Sequence, residues 1–518
     1  MNMPRTASPA PDSTMAPSSF HSRYAPDREA FRLVESMLSG RHPSAVIILG
    51  GGLNYLSKAF KASLPGSRTV LLQPSDIFDS ESVEKSDFTW SPSSSQTPDT
   101  FLGQALGDGK AAGGIVVLEW PPVMQRFAEM GAFLRRTVAD YLERLSSSSA
   151  TTSYWARRWL RNSLRFCMGE NIHATIKPGA GPIVIACAGP GLRESLPLLG
   201  KSGTSVWALA SAQEALAAFG IRPDLVLATD PGHWNSLHLR QELIQRVPFA
   251  LPPSASVPAA LFGGEQLLVP LDTGLAFETM AIRAAGSQPV EAATAGTAAG
   301  TAISLALRAT TGSVFVAGLD LAARGLRAHA NPYALDSVDL AMSTRLRPEH
   351  HLRHDLIFER YPETIGSWRV SRAFKSYSST ICASGFDAGR TYRISDSPVP
   401  TMLSRMSPER AYEICSTGLQ LPSIVPQGMR GDSSDRVRAF AALLVELADR
   451  LSRRAREATE SGQYFATDEA TSLLALAGRN AAPLIAQAAR KTIQKASVDL
   501  ALAGLERGLG AFLELCNA

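Results

Sequence analysis

Between residues 181 and 320, apolar runs of strand length alternate with stretches of helical period, and each run stops at a Gly, Ser, Thr or Asp. Residues 182–188 (PIVIACA) form a continuous apolar run that ends at Gly189-Pro190-Gly191, ahead of the periodic stretch 192–199. A parallel strand covered on both faces has no polar side to show, so the run predicts a buried parallel strand feeding a helix. Residues 205–210 (SVWALA) end at Ser211, and Ser211 and Glu214 stand at capping-box spacing before Ala215, Leu216 and Phe219. Residues 224–228 (DLVLA) follow Gly220-Ile221-Arg222-Pro223, a C-cap glycine and a helix-stopping proline, and run into Thr229 and Asp230. Downstream, Gly296-Thr297-Ala298-Ala299-Gly300-Thr301 opens an Ala-rich helix to about Arg308, and the strand 313–317 (SVFVA) closes at Gly318-Leu319-Asp320. In open α/β sheets ligands lie outside the carboxyl ends of the strands, where helix N-termini point free amides outward. Gly189, Ser211, Asp230, Thr297 and Asp320 are therefore expected to converge on one crevice.

The same grammar, weaker, occurs near the start. Residues 45–49 (AVIIL) meet Gly50-Gly51-Gly52 and a helical stretch at 53–62, followed by strands at 69–73 (TVLLQ) and 114–118. This predicts a Rossmann-like N-terminal domain over 28–146. It is a poor dinucleotide fingerprint, because the third glycine is missing and the second strand ends in Gln73 where a ribose-binding acid would stand. Residues 1–27 are rich in Pro, Ser and Ala without an apolar h-region, and are expected to be a disordered tail. The stretch 91–99 reads as a loop insertion. Residues 147–180 are expected to be an interdomain helical linker, whose Tyr154 to Asn162 part interleaves aromatic and basic residues, as either a stacking surface or a helix with snorkelling arginines. The central doubly wound parallel-sheet domain is placed at 181–342, a lid-like irregular segment at 343–433, and a C-terminal helical domain at 434–518. The fold class is α/β.

Composition narrows the partners. Fifty-one basic residues against 47 acidic give a net charge of +4 on 518 residues, so no polybasic footprint points to nucleic acid or an anionic membrane. The five cysteines, Cys167, Cys187, Cys382, Cys415 and Cys516, show no CxxC spacing and form neither a metal nest nor a disulfide framework, which suits a reducing cytoplasm. No stretch of about 18 apolar residues appears, so no spanning helix is expected.

The strings AGPGLRESLPLL, ALASAQEALAAFGIRPDLVLATDPGHW and AGTAAGTAISLALRATTGSVFVAGLDLA, followed by RAHA, resemble the motility-associated factor (Maf) family of flagellin glycosyltransferases. The central domain of that family is similar to the 6-hydroxymethylpterin diphosphokinase-like (MptE-like) domain and to bacterial sialyltransferases. AVIILGGGLNYL and TTSYWARRWLRNSLRF resemble the family's flanking parts. The resemblance implies transfer of a nonulosonic, sialic-acid-like sugar from a CMP-activated donor to Ser or Thr hydroxyls of flagellin. Gly189, Pro190 and Gly191 match a GPSL turn, with Gly191 in place of Ser. Asp230 matches the acid after the strand that contains PD. Gly296, Thr297 and Ala298 match a GGS-type turn, Gly318 and Asp320 a GxDL strand exit, and His329 the histidine shortly after it. GGGLNYL departs from a GxGLGYH pattern at Asn54 and Leu56.

Such a transfer needs a base, a water-shielded sugar and a stabilised departing phosphate. Backbone amides at Gly189–Gly191 and Gly296–Thr297 are expected to hold the phosphate without a metal, with Ser211 and Gly318 beside them, and His329 is the first candidate for the base, with Asp230 and Asp320 in the catalytic set. A histidine in a polar loop can also be merely solvated. The two aspartates admit a different chemistry, in which they hold Mg²⁺ against a nucleotide phosphate as an ATP-dependent pterin diphosphokinase requires, or they merely close their loops as Asx turns. A non-catalytic flagellar assembly or binding protein on the same fold is the third reading.

Overall fold

A computed structural model describes residues 16–39, 43–79, 82–110, 114–200, 203–241, 245–263, 266–293, 296–415, 418–429, 431–461, 465, 467–489 and 494–517. The chain divides into two compact units, one of 1–154 with 449–508 and one of 155–448 with 509–518.

In the first unit four parallel strands, β1 (Ala45–Leu49), β2 (Arg68–Leu72), β3 (Phe88–Trp90) and β4 (Ile115–Glu119), lie in the order β3-β2-β1-β4. Every residue of β1 is buried, as an all-apolar strand between two covered faces must be. One face packs Val46, Ile48 and Leu71 against Val34, Leu56 and Phe60 of the helices Pro26–Leu38 and Tyr55–Ser63. The other packs Ile47, Leu49 and Val70 against Leu102 and Leu106 of the helix Pro98–Lys110 and Leu134 of the helix Ala128–Met168. The helices Thr467–Ala477 and Ala482–Ala489 belong to this unit as well.

The second unit is built on a larger sheet. Its strands are β5 (Ile172–Lys177), β6 (Ile183–Ala186), β7 (Ser205–Leu209), β8 (Leu225–Leu227), β9 (Phe249–Leu251), β10 (Leu267–Asp272), β11 (Val290–Glu291) and β12 (Val314–Ala317). A small antiparallel sheet of β13 (Ala323–Arg324), β14 (Glu363–Ile365) and β15 (Trp368–Val370) follows, and then β16 (Thr391–Ile394), β17 (Ser404–Arg405) and β18 (Ser423–Pro426) rejoin the main sheet. Its order is β17-β16-β12-β6-β7-β8-β9-β10-β5-β18, with β11 on β10, parallel except for β18. The chain leaves β6 in one direction through β7, β8, β9 and β10. It then returns through the helix Ala298–Ala309 to lay β12 and β16 on the other side of β6. The connections thus reverse between β6 and β12, which is where a ligand crevice forms in a doubly wound sheet. Ile183, Ile185, Trp207, Val314 and Val316 pack there beneath Ala302, Ile303 and Ala306 of that helix.

Several expectations are corrected. Residues 1–15 of the proposed tail lie outside the described residues, but 16–27 are folded: Pro17–Phe20 is a 3-10 turn, Phe20 is buried, and its carbonyl accepts the Trp120 indole N–H at 2.9 Å. The stretch 147–180, expected to be a helical linker, is helical only to Met168, as the end of the 41-residue helix Ala128–Met168, and then holds strand β5. The described residues of 343–433 form regular helices and strands rather than an irregular segment, and the sheet does not end at 342, because β16, β17 and β18 belong to it. Ser211 and Glu214 form no capping box. Ser211 lies inside the 3-10 turn Ala210–Ala212, and Glu214 pairs with Arg240 at 2.7 Å and Gln241 at 2.9 Å. No helix among the described residues is long and apolar enough to cross a membrane.

Candidate functional site

At the β6–β12 reversal the two strand exits are joined to each other. The Gly189 N–H donates to the Gly318 carbonyl at 2.9 Å, continuing the ladder one step past the bond from Cys187 N–H to the Ala317 carbonyl. A Cβ at Gly189 would stand 2.3 Å from that Gly318 oxygen and 2.4 Å from Asp320 Oδ2, so only glycine lets the turns close. Gly318 itself has φ +66°, a left-handed conformation that costs glycine little.

Asp320 is 1% exposed. Its Oδ2 accepts the Gly191 N–H at 2.6 Å, its Oδ1 accepts the Ser395 hydroxyl, and its backbone carbonyl accepts the Ser397 hydroxyl at 2.6 Å and Arg393 Nη2 at 3.1 Å. Burial pushes its pKa above the ordinary value while the Ser395 and Gly191 hydrogen bonds and the Arg393 charge oppose the rise. Burial also pulls Arg393 down to about 10.

This geometry removes the phosphate cradle expected at the glycine turn. Both glycine amides donate within the protein, and Pro190 has none. Asp320 takes up the Gly191 amide from inside the fold and is a positioning residue. It does not fit a shared Mg²⁺ with Asp230 either, since both its oxygens are committed inside the fold and Asp230 is exposed. Among the described residues no group of three or more His, Cys, Asp or Glu is arranged to hold a metal ion.

A second cluster forms next to the turn. The Ala330 N–H donates to the Ala188 carbonyl at 2.8 Å, which seats the loop carrying His329 on the carboxyl end of β6. The His329 ring lies flat on Tyr333, 4.1 Å between centroids and 3° from parallel. His238, at the end of the short helix Asn235–His238, lies 5.1 Å from the same phenol ring, and Nε2 is 3.4 Å from the hydroxyl. Its Nδ1 is buried with no hydrogen-bond partner among the described residues. Asp336 holds the loop by accepting the Tyr333 N–H at 3.0 Å and pairing with Arg327 at 3.2 Å and Arg353 at 2.8 Å.

Burial pulls His329 down to about 4, aided by His238 and opposed by Asp336, so its imidazole is neutral near pH 7 and able to take a proton. Burial lowers His238 as well, with the Asp230 charge the first to oppose it. Asp230 therefore acts electrostatically on this cluster, while its Oδ1 closes an Asx turn on the Gly232 N–H at 2.7 Å. Burial raises the Tyr333 phenol and keeps it protonated.

The remaining expected residues sit around this core. The turn holding Ser211 packs beside the helix that ends in His238. Thr297 is the N-cap of Ala298–Ala309 and accepts the Gly300 N–H at 2.9 Å, so the amides of Ala298 and Ala299 are the ones this helix end presents. Gly296, at φ +67°, lies against Thr380. Beyond Ser395, a cleft of about 450 Å³ is lined by Glu194, Ser195, Asp396 and Arg405. Sequence reasoning missed Tyr333, Arg393 and Ser395 and gave His238 no role. Tyr333 carries no signal beyond following His329 by four residues, and the other two lie in the segment read as irregular.

Residues 158–325 match the family described as 6-hydroxymethylpterin diphosphokinase MptE-like. The match lies within the second unit. Asp230, His238 and the β6 and β12 exits fall within the matched residues, and His329 follows four residues after their end. The chain is also similar, at 25% identity over 240 residues, to an uncharacterized protein of Treponema pallidum (strain Nichols), covering 46% of this chain and 50% of that protein. It thus spans about half the length of the curated relative it matches. Among solved structures it is similar to that titled "Structure of MAf glycosyltransferase from Magnetospirillum magneticum AMB-1", with 9% identity and a TM-score of 0.47 over 95% of this chain and 81% of that one.

Proposed function

We propose that this protein is a glycosyltransferase of the Maf type, moving a nonulosonic sugar from a CMP-activated donor to Ser or Thr hydroxyls of flagellin. The MptE-like match and the motif resemblance support the reading, and one observation carries it: a neutral histidine, stacked on a protonated tyrosine, seated by Ala330 and Ala188 at the carboxyl end of the central strand. The acceptor hydroxyl gives its proton to an imidazole nitrogen of His329. Its oxygen forms the new bond to the anomeric carbon as the bond from that carbon to the CMP phosphate oxygen breaks, and CMP leaves with the electron pair. The departing phosphate faces the N-terminus of Ala298–Ala309, where Ala298 and Ala299 offer amides and the helix dipole favours negative charge. Asp336 favours the imidazolium that forms, and Asp320 keeps the floor rigid.

The diphosphokinase reading is the weaker one, because Asp320 is enclosed by Gly191 and Ser395. Thermal shift separates the two: CMP raises Tm in the presence of chelator under the first, while ATP with Mg²⁺ does so under the second. The decisive test is intact-mass comparison of flagellin from cells carrying the wild-type protein or His329→Ala. Loss of a sugar-sized mass in the variant is expected, and unmodified flagellin in wild-type cells would favour a binding role instead.

A further inference from the structure

The first unit has its own reversal point, between β1 and β4, and a side chain of this chain fills it. His21, from the folded segment before the sheet, lies flat on Trp120 at the exit of β4, 5.4 Å between centroids and 16° from parallel. Its Nε2 accepts the Leu53 N–H at 2.9 Å, at the end of the turn Gly50–Gly51–Gly52 that leaves β1. Gly52 has φ +58°, and a Cβ there would stand 2.4 Å from that nitrogen, so the glycine is what admits the ring. The other side of the helix start is closed, because the buried Asn54 amide donates to the Glu84 carbonyl at 2.7 Å.

Among the described residues, one polar atom at this place has no partner. Gln73, 2% exposed at the exit of β2, donates Nε2 to the Gly52 carbonyl at 2.7 Å, and its Oε1 is buried without a hydrogen bond. A buried acceptor left unpaired costs about 1–3 kcal/mol and points to a missing donor. The exit of the second strand is also where such sheets hold a ligand's hydroxyl.

We propose that this reversal point is a nucleotide-binding site held shut in cis by His21. The imidazole is the stand-in for the ligand: a flat heteroaromatic ring on Trp120 whose ring nitrogen accepts the Leu53 amide. A nucleobase offers the same face and acceptor atom, and its N–H or sugar hydroxyl supplies the donor that Gln73 Oε1 lacks. The incomplete glycine fingerprint suits a mononucleotide rather than a dinucleotide. This inference is independent of the sugar-transfer reading, which concerns the other unit.

The test is local hydrogen exchange at pH 7.5 on the full chain, with AMP as probe and ribose 5-phosphate as the control without a base. In His21→Ala the peptide spanning Leu53 loses protection, and AMP restores it with a Kd at least about ten-fold below that of the wild type, whose site is mostly closed. In the wild type, rising AMP speeds exchange around residues 16–22 as the plug leaves, a readout that stands even where the variant fails to fold. Absence of both effects overturns the proposal, and so does equal protection by ribose 5-phosphate. Because exchange is read at residues 16–22 and 50–60, nucleotide bound at the second unit does not register.

Discussion

Two glycine turns leave the central strands of two parallel sheets, and both are occupied by the protein itself. At Gly189–Gly191 the occupant is a carboxylate. Asp320 comes from the neighbouring strand, is fully buried, and is tied from behind by Ser395, Ser397 and Arg393. At Gly50–Gly52 the occupant is an imidazole. His21 comes from a segment outside the sheet, rests on an aromatic face, and makes one hydrogen bond through its ring nitrogen. A carboxylate that is part of the sheet cannot be exchanged for a ligand without dismantling the sheet, whereas a ring laid over the turn can. The turn at Gly189–Gly191 is thus closed permanently and the one at Gly50–Gly52 conditionally, so the proposed chemistry of the second unit falls to the His329 loop beside its turn.

The largest effect is expected where that permanence is removed. Asp320→Ala leaves the Gly191 amide and the Ser395 hydroxyl unpaired and Arg393 without its counter-charge, at a cost of about 3–5 kcal/mol in urea unfolding of the second unit. Asp320→Asn keeps one acceptor and should cost about half as much. If Ala is tolerated within about 1 kcal/mol, the carboxylate is not what closes the turn.

Next come the glycines. Gly189→Ala drives a methyl group into the Gly318 carbonyl and the Asp320 carboxylate, neither able to retreat, and should cost about 2–3 kcal/mol. Gly52→Ala meets the His21 ring instead and adds the strain of a positive φ, for about 2 kcal/mol. Removing the ring relieves part of this, so Gly52→Ala combined with His21→Ala should lose about 1 kcal/mol less than the two single losses added. Strict additivity would put His21 away from the turn.

How far all this is legible in the sequence depends on where the deciding partner lies. The middle strands are plain because burial on both faces leaves only apolar residues, as in AVIIL and PIVIACA. Strand β16 is not, because TYRI carries a buried arginine whose guanidinium is satisfied by the Leu319, Asp320 and Val399 carbonyls, a match visible only once the chain is folded. Gly189, Asp230 and Asp320 stand out as strand exits. Their tasks do not, since Gly191 and Asp320 are 129 residues apart and His21 and Leu53 are 32 apart. His329 can be singled out because the chain has only nine histidines, but the aromatic face that supports it belongs to a tyrosine no motif marks.

Acid should move the two turns in opposite directions. Burial holds the His21 pKa below 6.5, with Glu29 opposing, so the unfolded chain takes that proton first. The stability its neutral ring supplies is complete above pH 6.5 and is lost as pH falls through the lowered folded value. Burial holds Asp320 above 3.8, so there the folded chain takes the proton first, and stability rises rather than falls as pH drops through the raised value. Between pH 7 and 5, exchange corrected for the intrinsic pH dependence should therefore lose protection at Leu53 and keep it at Gly191. Parallel loss at both would mean that global unfolding, not His21, sets the response.

The smallest effect belongs to the feature the units share, a histidine laid flat on an aromatic ring. In Tyr333→Phe the ring under His329 stays, and only the long 3.4 Å contact from the hydroxyl to His238 Nε2 goes. A bond of that length contributes little, and the loss should stay within about 1 kcal/mol. The stack, not the hydroxyl, covers the imidazole, so the pKa of His329 should remain near 4 when followed by NMR titration. Tyr333→Ala uncovers the ring to water and should raise that pKa toward 6.5, since desolvation is the main cause of its depression. A Phe variant that shifts as far as Ala would assign the depression to the hydroxyl and His238, and the likeness between the His329 and His21 stacks would then be one of shape alone.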